Sequence, residues 1–143
     1  NTFRNNKKSI VALQEVQKNE ISKYGIIEHK KNNNNIYNIS NMVENPNLKD
    51  APSNLAIIGR YILLPEVIEE LSENKLGHGG EIQLTDAIKN TIKTSGVIGY
   101  EFEGSRYDCG NVIGALEAQI SLALKDDKYK NSTKELLKKY NKK

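Results

Sequence analysis

Residues 55–63 read LAIIGRYIL, a nearly continuous apolar run with Gly59 inside it. A strand with one wet face alternates apolar and polar residues, so a run of this kind suits a sheet covered on both faces. Residues 9–16 (SIVALQEV) have the apolar density of a second buried strand, after a polar stretch over residues 1–8. Residues 25–27 and 36–43 flank a run of asparagines, Asn32 to Asn35, and read as a hairpin whose loop tolerates left-handed backbone. Pro65 is a good first helical residue for a helix over 66–72, with Val67, Ile68 and Leu71 on one face. Thr85 or Asp86 could cap a helix over 87–93 that Gly96 ends, and residues 97–102 read as another strand. After a turn at 108–111, Val112, Leu116, Ile120 and Leu124 share a helical face. A last helix over 133–140 has Ser132 as its cap. Strands alternating with helices in this order define an α/β domain with a mixed sheet and flanking helices.

Composition narrows the function classes. The 143 residues suit one domain, which would bury roughly 68–70% of the surface its unfolded chain exposes. The apolar fraction is 37%, the mean hydropathy is −0.63 and Trp is absent. The longest apolar runs fall well short of the roughly 18 residues a membrane span requires, so neither a span nor a signal peptide is expected. Cys109 is the only cysteine, which excludes an intramolecular disulfide, and the cytoplasm is the expected location. The net charge of +3 comes mostly from dispersed lysines, densest at residues 138–143. That tail reads as solvated and suited to a helix C-terminus, not as a nucleic-acid contact.

Three segments carry more specific information: APSNLAIIGRYIL at 51–63, GEIQLTDAI at 80–88 and YDCGN at 107–111. In that order and at those separations they resemble the sugar-binding half of bacterial UTP–glucose-1-phosphate uridylyltransferases, over about residues 9–124. The resemblance implies the C-terminal part of a Rossmann-like nucleotidyltransferase fold. Residues 1–143 would be the sugar-phosphate-binding half, with residues 125–143 as a helical basic tail. It also implies an upstream half with a Gly-x-Gly-Thr-Arg loop around the nucleotide phosphates and a first metal-binding aspartate; neither occurs in these residues. The chain opens on Asn1 and not on Met, so this is not expected to be a natural start of translation.

On the resemblance, Asp108 of YDCGN is a Mg²⁺ ligand, a role that suits a hard carboxylate when phosphates complete the octahedron. Without that resemblance, the residues read as an aspartate that stabilises its own turn. The segment MVENP at 42–46 resembles the family's Val-Glu-Lys-Pro, whose glutamate binds sugar hydroxyls and whose lysine binds the sugar phosphate. Glu44 can accept two hydroxyl hydrogen bonds; by itself it also reads as an exposed carboxylate at a strand end. Asn45 departs from the pattern, because a short neutral amide cannot replace a cation against a phosphate. Tyr24-Gly25 resembles the Tyr-Gly where the family's backbone approaches the hexose, although Gly25 could simply start a strand. Ser53, Asn54 and Glu81 fall in segments that shape the pocket wall or brace its loops, and Gln83, Thr85 and Asp86 suit capping as well as ligand contact. His29 and His78 have no ligand-spaced neighbours, the glycine-rich loop at 77–80 lacks a phosphate-cradle ending, and Cys109 is expected to pack structurally.

The implied activity is transfer of a uridylyl group from UTP to glucose 1-phosphate, with Mg²⁺, by an enzyme of which this chain is a fragment; the isolated chain is expected to be inactive. Partners implied are UTP, glucose 1-phosphate, the missing N-terminal half and a further copy in a homo-oligomer, with no nucleic acid and no membrane. Other readings are a non-catalytic remnant, a sugar-phosphate-binding module, a fragment complementing a separate N-terminal half, and a glucose-1-phosphate thymidylyltransferase-like fragment.

Overall fold

In the computed structural model, residues 2–31, 35–72 and 83–141 are described. Asn32, Asn33, Asn34, the glycine-rich loop at 77–80 with His78, and Glu81 lie outside the described residues. After a short helix α1 (Thr2–Asn6), the strands are β1 (Ser9–Glu15), β2 (Gly25–Lys31), β3 (Ile36–Glu44), β4 (Leu55–Ile62) and β5 (Val97–Glu101). β1 pairs antiparallel with β4 and parallel with β5, and β3 pairs antiparallel with both β2 and β5. One antiparallel pair, Ile26 with Ala56, joins β2 to β4 and closes the ring β1-β4-β2-β3-β5. The sheet is therefore mixed, as the sequence indicates. It is also closed on itself, so β1 and β4 each have a strand on both sides.

The run at 55–63 is only half as buried as its composition implies. Leu55, Ala56 and Ile57 are buried, but Ile62 is 48% exposed. The register explains the change. Val11 faces Tyr61 while Leu13 faces Ile57, so residues 58–60 bulge opposite Ala12, and Gly59 takes φ +72° at the bulge. Inside the ring, Val11, Leu13, Ile27, Ile39, Met42 and Ile57 form the core, which α2 (Pro65–Ser72) and α3 (Leu84–Thr91) extend with Val67, Ala87 and Ile88.

Pro65 opens α2, as expected from its fixed φ. The Leu64 amide donates to the buried Ser9 hydroxyl at 3.0 Å, tying the exit of β4 to the start of β1. Val67 and Leu71 pack on the core, but Ile68 is 56% exposed, so the apolar face of α2 is narrower than the sequence suggests. α3 begins at Leu84, which puts Thr85 and Asp86 inside its first turn; the capping position is Gln83, whose side chain makes no cap bond. Gly96 ends the segment at φ +72°, its amide closing onto the Thr91 carbonyl at 3.1 Å.

The chain divides into two compact units, one up to Phe102 and one from Glu103. The second contains α4 (Val112–Lys125) packed on α5 (Lys130–Tyr140). α5 starts earlier than expected and has Tyr129 at its cap, leaving Ser132 within its first turn. On α4 the buried residues are Gly114 and Ala118, whereas Val112 is 82% and Leu116 50% exposed. Periodicity identifies the apolar stripe of such a helix but not what covers it.

Candidate functional site

In the first unit, β2 begins where β3 ends, and this register places Gly25 directly opposite Glu44. The Glu44 carboxylate folds back across the glycine: a Cβ on Gly25 would lie 2.7 Å from Glu44 Oε2 and 3.4 Å from Ile57 Cδ1. The missing side chain is thus what lets the carboxylate rest on the sheet. The next residue, Asn45, has φ +46°, and its amide donates to the Tyr24 carbonyl at 3.1 Å, turning the chain away from the hairpin. Asparagine is among the few residues that accept this conformation at low cost. Gly25, Glu44 and Asn45 are therefore brought together, with Glu44 and Asn45 exposed.

The Glu44 charge also acts on Tyr61 of β4. Burial first, and the Glu44 charge second, push its phenol above the ordinary tyrosine value. The sequence places Tyr61 in a recognisable segment without a role, because the bulge at Gly59 decides which face it takes. Below these residues, Ser53 braces the wall. Its hydroxyl donates to the Ile27 carbonyl at 2.7 Å and accepts from the Leu55 amide at 3.1 Å, beside the only β2–β4 pair among the described residues. The Asn54 carbonyl accepts from the Val16 amide at 3.0 Å, so both residues hold backbone in place.

The second unit carries Asp108. One carboxylate oxygen, Oδ1, accepts from the Gly110 amide at 3.0 Å, so the aspartate does stabilise its own turn. Its other oxygen has no hydrogen-bond partner among the described residues. The Asn111 side chain bridges the turn to the helix: Nδ2 donates to the Asp108 carbonyl at 3.2 Å, and Oδ1 accepts from the Gly114 amide at 2.9 Å as the cap of α4. The Tyr107 and Ser121 hydroxyls are hydrogen-bonded. That bond first, then one from Ser105 and the Lys125 charge, hold the Tyr107 phenol below its ordinary value. Cys109 is exposed, which corrects the expectation that it packs structurally; the tight turn at 108–110 points it outward.

Among the described residues no three His, Cys, Asp or Glu side chains gather as a metal cluster. A single exposed carboxylate with one oxygen unengaged fits a cation such as Mg²⁺, which keeps water and phosphate oxygens in most of its positions. It does not fit an all-protein metal cage.

A polar group that sequence reasoning missed lies in the ring wall. The Tyr37 hydroxyl donates to Glu101 Oε2 at 2.6 Å, and this bond is the main reason its pKa rises to about 12. His29 stands edge-on to the Tyr37 ring at 4.7 Å. Their separations along the chain gave no signal of it.

Residues 2–124 match the nucleotidyl transferase family, and the chain belongs to that family. Within it, the chain is 42% identical over 142 residues to UTP–glucose-1-phosphate uridylyltransferase 1 of Staphylococcus saprophyticus, covering 99% of this chain and 50% of that protein. It is 46% identical over 110 residues to the Pseudomonas aeruginosa UTP–glucose-1-phosphate uridylyltransferase, covering 77% of this chain and 39% of that one. Among solved structures, a UDP-glucose pyrophosphorylase complexed with UDP-glucose superposes with a TM-score of 0.80 at 48% identity, over 87% of this chain and 47% of that one. UTP-bound UGPase from Acinetobacter baumannii gives 0.83 at 28% identity, over 99% and 48%. The chain thus spans about half the length of these proteins or less.

Proposed function

We propose that this chain is the sugar-phosphate-binding half of a UTP–glucose-1-phosphate uridylyltransferase, acting in the cytoplasm with an N-terminal half that holds the UTP phosphates. The observation that carries the reading is the Glu44 carboxylate lying across Gly25. With no side chain on Gly25, a hexose can approach the backbone beside Glu44, whose carboxylate can accept from its hydroxyls. The similarity to a protein solved with UDP-glucose supports the choice of sugar.

In the reaction, a phosphate oxygen of glucose 1-phosphate bonds to the α-phosphorus of UTP while the bond to the departing pyrophosphate oxygen breaks. The protein's part is chiefly to align the reactants. Glu44 and the Gly25 backbone orient the hexose. Tyr61, whose phenol feels the Glu44 charge, is a further hydroxyl proposed for this site. Asn45 stands where the family's phosphate-binding lysine would be. Asp108 would hold Mg²⁺, which supplies neutralisation of phosphate charge when bound.

Ligand-observed saturation-transfer NMR with glucose 1-phosphate tests the sugar site. Transfer to the hexose protons is expected from the native chain and not from Glu44→Gln or Gly25→Ala. Equal transfer from all three would overturn the assignment. A second reading, a sugar-phosphate-binding module without catalysis, is favoured by Asn45 itself. It predicts that hexose binding persists while no UDP-glucose forms even when the N-terminal half is supplied.

A further inference from the structure

The turn that carries Asp108 lies along the small-residue face of α4. Gly114, Ala118 and Ser121 recur at i, i+4 and i+7, so they share one side of the helix, and Gly114 and Ala118 are its buried residues. At one end of this face the Tyr107 phenol is bonded to Ser121. At the other, the Asp108 main chain presses onto Gly114: a Cβ there would overlap the Asp108 carbonyl oxygen and lie 2.8 Å from its carbon. The obstacle is backbone, which cannot swing aside like the end of a long side chain. Asn111 then locks the same carbonyl, donating to it while accepting from the Gly114 amide.

We propose that Gly114 is a positioning residue for Asp108, its missing side chain allowing the Asp108 carbonyl to seat against α4 with Asn111 as the clasp, so that the free carboxylate oxygen is held at one orientation. The inference rests on the reading of Asp108 as the cation ligand. It adds a residue in the helix, six positions beyond the ligand, that touches neither cation nor substrate. Glycine inside a helix is ordinarily a weakness that alanine cures. Here alanine is expected to harm the turn although it favours the helix, and this opposition makes the inference testable.

The test uses the 143-residue chain, ¹⁵N-labelled and kept below the concentration at which it associates, with MnCl₂ as a paramagnetic stand-in for Mg²⁺. In the native chain, low Mn²⁺ should broaden the amides of residues 108–110, and Asp108→Asn should abolish this. In Gly114→Ala, the Gly110 amide and the Asn111 side-chain amide signals should shift before any metal is added. About 10- to 100-fold more Mn²⁺ should then be needed for the same broadening, the usual cost of removing an outer support of a metal ligand. Asn111→Ser keeps a capping oxygen for the Gly114 amide but loses the bond to the Asp108 carbonyl. It should therefore leave α4 helical and still weaken the broadening, which a purely structural role would not do. Gly114→Ala with unmoved Gly110 and Asn111 signals and an unchanged Mn²⁺ response would overturn the proposal. Loss of α4 helicity in Gly114→Ala would pass the decision to Asn111→Ser, whose native Mn²⁺ response would likewise overturn it. Shifted turn signals in a chain with no Asp108-dependent broadening would uphold the hold of Gly114 on the turn and reject Asp108 as the cation ligand.

Discussion

The left-handed backbone at Asn45 restricts which side chains that position can carry. Lysine there would restore a cation for the sugar phosphate but has no side-chain oxygen to ease φ +46°. Asn45→Lys should therefore lower the stability of the chain by about 1 kcal/mol, measured by denaturant unfolding. With the N-terminal half supplied, it should strengthen glucose 1-phosphate use by roughly 10- to 150-fold, since a charge-assisted contact is worth about 1.5–3 kcal/mol. Unchanged KM for glucose 1-phosphate would mean that another cation already serves. Tyr37 offers a prediction about pH. Its phenol titrates at about 12 in the folded chain, raised chiefly by the hydrogen bond to Glu101, against 10.0 in the ordinary case. Folding thus favours the protonated form, so this contribution is fully present below pH 10 and is lost as pH rises through 12. The stability difference between the native chain and Tyr37→Phe should shrink across that window. A constant difference would show that the bond does not control the titration.

Among the elements, β1 and β5 meet closely at Gly99, where a Cβ would overlap the Leu13 side chain and lie 3.2 Å from Leu13 Cγ. Gly99→Ala should cost about 1–3 kcal/mol by overpacking, read as a lower denaturant midpoint with unchanged slope. Gly25→Ala should cost less, because the obstacle is the mobile end of Glu44. These contrasts also mark what could be read from sequence. The apolar runs at 9–16 and 55–63, Pro65, Gly96 and Asn35 each announce a local structure, and the strands, helices and left-handed turn residue form there. Ring closure was not legible, because it depends on β2 reaching β4 through one pair of residues 30 positions apart, Ile26 and Ala56. The contact of Gly25 with Glu44 likewise follows from hairpin register, and the bulge at 58–60 hides the part played by Tyr61. Exposure of Ile68, Val112 and Leu116 escaped the sequence because helical spacing says which residues align, not whether a partner covers them.

The whole molecule spans about half the length of the relatives it matches. The purified chain should form no UDP-glucose from UTP, glucose 1-phosphate and Mg²⁺ above a heat-killed control, because the proposed site has Asp108 alone for the metal and an incomplete catalytic set rarely leaves graded activity. The exposed apolar residues of α4, Val112, Ile113, Leu116 and Leu122, should bind a hydrophobic dye and make the light-scattering mass rise with concentration. A monomer at every concentration, without dye binding, would contradict this. The seam between β2 and β4 carries a different consequence. A ring is as durable as its least-held joint, and this one rests on the Ile26–Ala56 pair and the Ser53 hydroxyl. In hydrogen exchange, the amides flanking it should trade deuterium sooner than those of β1, and Ser53→Ala should hasten them further. Gly25 borders that joint, so a bound hexose should act as a staple across it: glucose 1-phosphate would slow exchange there first, turning the weakest point of the ring into a gauge of whether the sugar site is filled.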